Sequence, residues 1–239
     1  MAKLKRPDGR EYDEFRPIEA KVGVIKRADG SAMFSFGKSK AIAAVYGPRQ
    51  MHPAHMQNPE KCVLRCYYDL ASFSVTERKK PGNSRRSSEI SYVMGKALEP
   101  VLNLAPYPNT VIDIFILIID SDASTRCAAI NAASMALADA GINMKELIAS
   151  VSIGKIGDAI VTDLTKEEED YSVTEGSKEE KAATDIPMAF LSRSGKLSLL
   201  QLDGKIRPDE LREAIALGKK SMKKIIDIQK EALKKIKEE

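Results

Sequence analysis

Residues 110–134, "TVIDIFILIIDSDASTRCAAINAAS", place an apolar strand directly before an alanine-rich helix. Apolar residues dominate 110–120, which predicts a mostly buried strand that is far too short to span a bilayer. Small side chains over 124–140 predict a helix that packs closely on a sheet and ends at Gly141. Acidic, hydroxyl and arginine side chains lie between the two elements, so this junction is also a candidate functional site.

Strands and helices continue on both sides of the junction. Apolar and polar residues alternate over 20–46 with Asp-Gly and Gly-Lys turns, which predicts a strand meander. Helical spacing of apolar residues predicts a helix over 84–103, and Pro208 is a favoured first residue for a long C-terminal helix. A further strand and two hairpins are predicted at 61–70, 149–164 and 187–203.

The segment 166–184 is acidic and has no apolar period, so it is predicted to be a polar loop. No internal repeat or low-complexity linker divides the chain. The predicted class is α+β, with mixed β-sheets, packed helices and a long C-terminal helix. We expect one domain over residues 1–239.

The composition excludes several functional classes. The net charge is only +4, so any nucleic-acid site must come from local clustering of basic residues. The N-terminus has no signal-peptide pattern, which predicts a cytoplasmic protein with reduced thiols and no membrane span. Neither a Walker loop, nor G-x-G-x-x-G, nor G-x-S-x-G occurs. Cys62 and Cys66 follow two histidines, but their spacing on a strand favours a core role over zinc binding.

The junction itself offers an anion site. The first turn of a helix has unpaired N–H groups and a partial positive charge, and Ser124, Thr125 and Arg126 would add donors. The alternative is simple helix capping by Ser124 or Asp122. Capping does not account for Arg126, because a cation in a first turn opposes the helix dipole. Both interpretations stay open at this point.

The predicted helix at 84–103 shows the same unfavourable placement. If Asn83 or Ser84 caps it, Arg85 and Arg86 lie in its first turn, which favours a bound anion there. The alternative is a solvated basic loop. Acidic candidates for proton transfer are the run Glu167 to Asp170 and Asp185, although a charged run in a loop is more often only solvated.

An ordered series of motifs resembles the RNase PH family of phosphorolytic exoribonucleases, and within it the active ring subunit of the archaeal exosome. The series extends along nearly the whole chain, and its order is far more specific than any single motif. The motifs are "RPDGR" at 6–10, "FRPIE" at 15–19, "ADGSA" at 28–32, "AVYGPR" at 44–49, "HPAH" at 52–55, "FSVTERK" at 73–79, "SRRSSEIS" at 84–91, "DASTR" at 122–126 and "ALADAGI" at 136–142.

The resemblance implies a function. It implies that inorganic phosphate, the co-substrate, attacks the 3′-terminal phosphodiester of single-stranded RNA and releases a nucleoside diphosphate. It places phosphate at Ser124, Thr125 and Arg126 and the RNA 3′ end at Arg85 and Arg86. The catalytic residues it implies are Asp170, with Glu169 as the alternative proton donor, and Asp185.

The resemblance also implies partners: a paralogous RNase PH-like subunit that completes a hexameric ring, and RNA-binding cap subunits. No metal ligand is assigned, and a requirement for Mg²⁺ is left open. Two departures from the family pattern are an insertion at 172–182 and Ala54, where the family often has an arginine at the ring entrance. The alternatives are a catalytically silent RNA-binding ring subunit and a free homohexameric RNase PH that trims tRNA 3′ ends.

Overall fold

The computed structural model describes residues 6–77, 79–175, 178–181 and 183–235. Its larger sheet has five strands in the order β1-β2-β3-β5-β4. Neighbouring strands are antiparallel except β4 and β5, which are parallel and therefore need a crossover between them. The strands are β1 Ile18–Val22, β2 Gly30–Phe36, β3 Ser39–Gln50, β4 Val63–Leu70 and β5 Thr110–Asp120.

A second sheet of four antiparallel strands forms the other wall of the molecule, in the order β11-β10-β6-β7. A separate two-stranded hairpin, β8-β9, lies between β7 and β10 in the chain. These strands are β6 Ile148–Ile156, β7 Ala159–Thr162, β8 Ser172–Glu175, β9 Lys178–Lys181, β10 Ala183–Leu191 and β11 Leu197–Leu200.

Four α-helices connect or cover the sheets. The first supplies the crossover between the parallel strands β4 and β5, and the last is the long C-terminal helix that begins at Pro208, as the sequence predicts. Pro208 suits a first turn because its missing N–H would have had no partner there. The helices are α1 Arg85–Leu98, α2 Thr125–Asp139, α3 Lys166–Glu169 and α4 Pro208–Lys235.

Helix α2 lies between the two sheets and is buried on all sides. It contacts β2 and β3 of the larger sheet and β6 and β10 of the smaller one. Its alanines permit this close approach, and Gly30 of β2 permits it further: a Cβ there would lie 2.5 Å from the carbonyl oxygen of Ala136. Gly141, with φ of 68°, ends the helical segment in the left-handed conformation expected after a helix C-terminus.

The segment predicted to be a polar loop is partly regular. Helix α3 forms within it because Thr165 and Glu168 cap each other's backbone N–H groups. Glu168 is also buried and accepts hydrogen bonds from Nε and Nη2 of Arg6 at 2.7 and 2.9 Å. The insertion at 172–182 then forms the β8-β9 hairpin, apart from 176, 177 and 182, which lie outside the described residues. The spacing of apolar residues gives no information about helix caps, buried ion pairs or backbone pairing, so the prediction of a loop was partly wrong.

In the described part of the chain, no helix combines the length and apolar character needed to cross a bilayer.

Candidate active site

A cleft of about 360 Å³ opens where three strands and two helices converge. The parallel strands β4 and β5 end at its base, the N-termini of α1 and α2 point into it, and the beginning of β10 forms the opposite wall. Crevices beyond the carboxyl ends of parallel strands are common ligand sites. The predicted site residues that line this cleft are Arg86, Ser124, Thr125, Arg126, Glu169 and Asp185.

The junction between β5 and α2 has an unusual backbone. Ala123 and Ser124 have φ of 54° and 52°, a left-handed conformation that is uncommon for residues with a side chain. Ser124 occupies the N-cap position of α2 but makes no side-chain cap hydrogen bond. Its hydroxyl instead donates to Oδ1 of Asp163 at 3.2 Å. Simple capping by Ser124 therefore does not explain the hydroxyl, and the first-turn N–H groups of α2 have no side-chain cap.

The Thr125 hydroxyl is fixed from the larger sheet. Oη of Tyr68, on β4, donates to Oγ1 of Thr125 at 3.1 Å, and both side chains are buried. Burial raises the pKa of Tyr68, so the phenol remains a protonated donor at neutral pH. Thr125 is thus held at the cleft wall by a hydrogen bond from outside the helix.

Arg126 and Arg86 bring positive charge to the cleft without an acidic partner. Nη1 of Arg126 donates to Oε1 of Gln201, a neutral amide. Among the described residues, no carboxylate lies within ion-pair distance of either arginine. Ser84 caps α1 together with Ser87, so Arg85 and Arg86 do lie in a first turn, where the helix dipole opposes them. Both are exposed, and Arg86 lines the cleft whereas Arg85 is not among the lining residues.

Asp185 is an acid of the cleft whose side chain is half-buried. Burial raises its pKa, while a hydrogen bond from Ser152 and the charge of Arg126 act in the opposite direction. The backbone of Asp185 is fixed by paired hydrogen bonds with Asp203, N–H to carbonyl in both directions, at 2.9 Å each. The carboxyl group is therefore held in one place and favours its protonated form more than an exposed aspartate does.

The two acidic candidates on α3 differ in position. Glu169 lines the cleft, together with Lys166. Asp170 is not among the described lining residues; its carboxylate accepts a hydrogen bond from Nζ of Lys166 at 2.8 Å, and its side chain is 58% exposed. The structure thus brings Glu169, but not Asp170, to the cleft wall beside the other predicted residues.

Some cleft residues were not predicted from the sequence. Lys79 and Lys166 line the cleft, and Ser152, Tyr68 and Gln201 position the side chains that do. Each lies on a different element from the residue it contacts, so spacing along the chain gives no sign of the contact. Ala54, the departure from the family pattern, lies in an exposed 3₁₀ turn at Ala54–Met56 and is not a lining residue.

This arrangement suits chemistry on two phosphate groups. Two arginines without acidic partners and an uncapped helix N-terminus attract anions, and the half-buried Asp185 beside them, whose pKa is raised, can supply a proton. In the described residues, no group of three or more His, Cys, Asp and Glu side chains could hold a metal ion.

Curated relatives are similar over almost the entire chain. The "Exosome complex component Rrp41" of Thermococcus kodakarensis is 51% identical over 230 residues, which cover 96% of this chain and 88% of the relative. The protein of the same name from Methanopyrus kandleri is 47% identical over 229 residues, covering 96% and 92%.

Two solved structures share the fold. Rice Rrp46 superposes with a TM-score of 0.80 at 24% identity and covers 95% of this chain and 100% of its own. A chain of the Archaeoglobus fulgidus exosome with RNA bound to the active site superposes with a TM-score of 0.75 at 20% identity, covering 92% and 91%.

Both parts of one family description match the chain. Residues 14–143 match the 3′ exoribonuclease family, domain 1, and residues 146–221 match domain 2 of the same family. The first match contains β1 to α2 and the second contains β6 to β11, so the cleft is built from both. The chain belongs to the RNase PH family of 3′ exoribonucleases.

Proposed function

We propose that this protein degrades single-stranded RNA from its 3′ end by phosphorolysis, as the active ring subunit of an exosome. The observation that supports this best is the convergence of Arg86, Arg126 and the uncapped N-terminus of α2 beside the half-buried carboxyl of Asp185. Hydrolysis would need one phosphate subsite. Phosphorolysis needs two anions close together, which requires this excess of positive charge.

Inorganic phosphate is the proposed co-substrate and binds at the start of α2. Ser124 and Thr125 offer hydroxyl groups, the first turn offers N–H donors, and Arg126 offers a guanidinium fork that suits a phosphate. The unfavourable position of Arg126 against the helix dipole is then offset by the anion it binds.

Arg85 and Arg86 at the start of α1 are proposed to bind the terminal phosphodiester of the RNA. Both are exposed and able to reach a bound strand, and Arg86 already lines the cleft. Contacts of this kind go to phosphate and ribose, so degradation should tolerate any base.

In the proposed reaction, an oxygen of inorganic phosphate attacks the phosphorus of the 3′-terminal phosphodiester. The bond from that phosphorus to the O3′ of the preceding nucleotide breaks, and O3′ takes a proton. The products are a nucleoside 5′-diphosphate and an RNA one nucleotide shorter. Asp185 is our first candidate for the proton donor, because burial raises its pKa. Glu169 and Asp170 on α3 remain the other candidates.

The partners are proposed from the relatives. The Rrp41 proteins are named as exosome complex components, so we propose that this chain alternates with a paralogous RNase PH-like subunit in a hexameric ring. RNA-binding cap subunits would sit on that ring in the cytoplasm. Phosphate is the only small-molecule co-substrate of the proposed reaction. Measuring activity over a range of Mg²⁺ concentrations tests for a dependence on this ion.

The reaction products test this proposal. The protein, alone and with its co-expressed paralogous partner, is incubated with a 3′-labelled RNA with and without inorganic phosphate. We expect nucleoside diphosphates to be released only when phosphate is present. Nucleoside monophosphates released without phosphate would contradict it in favour of hydrolysis, and RNA binding without cleavage in either preparation would favour the silent ring subunit.

Arg126→Ala locates the reaction in this cleft. Removing one anion contact of this kind typically lowers turnover by about 10²- to 10³-fold. Arg193→Ala is a matched control, because Arg193 is an exposed arginine in the turn between β10 and β11. Equal turnover of the two variants at low phosphate concentration would contradict the assignment of the phosphate site.

A further inference from the structure

Side chains outside the cleft hold the junction between β5 and α2. Nη1 of Arg16 donates to the carbonyl of Asp122 at 2.5 Å. Oγ of Ser39, the first residue of β3, accepts from the N–H of Asp122 at 2.8 Å and donates to the carbonyl of Ala123 at 2.6 Å. Two residues from distant parts of the chain thus fix the backbone polar groups on both sides of the left-handed turn.

Asp163, directly after β7, holds the same junction from the smaller sheet. Its Oδ1 accepts from the Ser124 hydroxyl at 3.2 Å and from Nη2 of Arg16 at 2.6 Å. Its Oδ2 accepts from Nε of Arg16 at 2.9 Å and from the Arg16 backbone N–H at 3.0 Å. Burial alone would lower the pKa of Arg16, but these bonds to Asp163 raise it, so the guanidinium stays charged.

The buried pair of Arg16 and Asp163 also fixes the backbone conformation of the junction. Arg16 and Asp163 are 6% and 1% exposed, and such pairs are seldom an efficient source of stability, because both charges lose their hydration. Left-handed φ values at Ala123 and Ser124 persist only where neighbouring groups over-determine them. Arg16, Ser39 and Asp163 provide that over-determination, and none of them is among the described residues that line the cleft.

We propose that Arg16, Ser39 and Asp163 are positioning residues for the phosphate subsite. They hold residues 122–124 in the left-handed turn, and that turn directs the first N–H groups of α2, together with the Thr125 hydroxyl, at a bound phosphate. The identity of the ligand rests on the proposed function, whereas the positioning of the turn does not. The three residues act through residues 122–124 and touch neither substrate.

Ser39→Ala tests this with little risk to the fold. It removes one hydroxyl and both of its bonds to the junction. Ser31→Ala is the matched control: Ser31 is also a buried serine of the larger sheet, and its hydroxyl bonds to both backbone groups of Ile25, at 2.8 and 3.4 Å. Both variants lose one donor and one acceptor in the sheet, but only Ser39 contacts the junction.

The measured quantities are the dissociation constant for inorganic phosphate and hydrogen exchange of the backbone over 121–126, in the complete protein. Small displacements of anchoring groups have large effects on ligand placement, so we expect Ser39→Ala to weaken phosphate binding by about tenfold. It should also speed exchange in this segment. Ser31→Ala should change neither, even where it lowers the melting temperature equally.

Arg16→Lys is a second variant that keeps the charge. A lysine has no planar fork and cannot bond both oxygens of Asp163 and the Asp122 carbonyl together, so phosphate binding should weaken as in Ser39→Ala. Equal phosphate affinity and exchange in Ser39→Ala and Ser31→Ala would overturn the inference. So would a wild-type protein that binds no phosphate. If phosphate binds and the two serine variants differ, but no nucleoside diphosphate forms, the positioning role stands and the proposed function fails.

Discussion

Asp185 is a carboxyl group whose position in the cleft opposes folding at neutral pH. Its side chain is half-buried, and the loss of contact with water raises its pKa above the usual value of 3.8. The folded state therefore holds this proton at pH values where the unfolded chain has released it, so this group's contribution to stability falls as pH rises. Groups of this kind are often kept for function rather than for the fold.

Asp185→Asn should stabilise the protein at neutral pH. An asparagine needs no proton to stay neutral, and its Oδ1 still accepts from Ser152. The gain in free energy of unfolding should be present at pH 7 and disappear as the pH falls below the raised pKa toward 3.8, because the aspartate is then neutral as well. Urea unfolding at a series of pH values measures this. Asp170→Asn, at an exposed residue, should show no such gain; a gain equal to that of Asp185→Asn would contradict the explanation by burial.

The proton donor is distinguished by three substitutions. Asp185→Asn keeps the size of the side chain but removes the acid, so degradation should fall by about 10²- to 10⁴-fold while RNA binding persists. Asp170→Asn should have a small effect, because Asp170 pairs with Lys166 away from the cleft wall. Glu169→Gln tests the second acid that lines the cleft, in the same degradation assay. Normal degradation by Asp185→Asn, with loss in one of the α3 variants, would move the assignment to that residue.

Candidate site residues can be recognised from the sequence where their neighbours along the chain identify them. They cannot be recognised where their position depends on contacts between distant parts of the chain. The arginine in a first turn marks Arg126, and "DIP" at a strand start marks Asp185, from neighbouring residues alone. The choice between Glu169 and Asp170 depends on where α3 points, and α3 depends on Glu168 binding Arg6 from the other end of the chain. No periodicity contains that information.

At the scale of elements, two helix N-termini meet at one cleft and each has an arginine in its first turn. Their starting residues differ: Ser84 caps α1 with a reciprocal hydroxyl pair, whereas Ser124 leaves α2 uncapped. A capped terminus offers fewer free N–H groups, so we expect α1 to bind the proposed RNA phosphate mainly through its arginine side chains. An uncapped terminus offers the N–H groups themselves. The start of α1 is thus suited to a phosphate of a flexible RNA strand, and the start of α2 is suited to a small phosphate ion.

Arg86 should contribute more to RNA binding than Arg85. The two arginines are neighbours on one helix, are both exposed and have the same charge. They differ in position, because Arg86 lines the cleft and Arg85 is not among the lining residues. Arg86→Ala should weaken RNA binding and reduce the salt dependence of the affinity by about one phosphate contact. Arg86→Lys should recover only part, because an ammonium lacks the fork. Affinity measured from low to high salt checks this, with Arg85→Ala as control; identical slopes in the wild type and both variants would favour a solvated loop.

The elements themselves were largely predictable. The strand β5 matches its predicted span, and α2 lies within one residue of its predicted limits, because apolar runs and alanine content are local signals. The hairpin β8-β9 was not predicted, because its sequence shows no sustained alternation of apolar and polar residues.

At the scale of the whole molecule, one hydrophobic cluster joins both sheets through α2. It includes Phe34 and Ile114 from the larger sheet, Val151 and Phe190 from the smaller, and Ile225 from α4. A shared core makes independent unfolding of either half unfavourable, because each would expose its side of α2 to water. We therefore keep the proposal of one folding unit over the chain, although two family descriptions match it separately.

Thermal and urea unfolding should show a single cooperative transition. Probes in the two sheets, such as single tryptophans introduced at the exposed Tyr67 of β4 and Leu197 of β11, should report the same midpoint. Phosphate should raise both midpoints together, because it binds only the folded cleft. Two separated midpoints, with phosphate moving only one of them, would show that the halves fold independently.

Helix α2 has a further consequence for genetics. The backbone of Gly30 lies close to its C-terminal end, and its N-terminal end lines the cleft as the proposed anion subsite. A larger residue at a buried alanine displaces the helix, because interiors are close-packed and transmit strain. In a mutational screen that measures only the loss of RNA degradation, inactivating substitutions would therefore occur along the whole length of α2. Most of these positions would be remote from any substrate. Only a parallel readout of protein abundance would separate the alleles that misplace the helix from those that remove its chemistry.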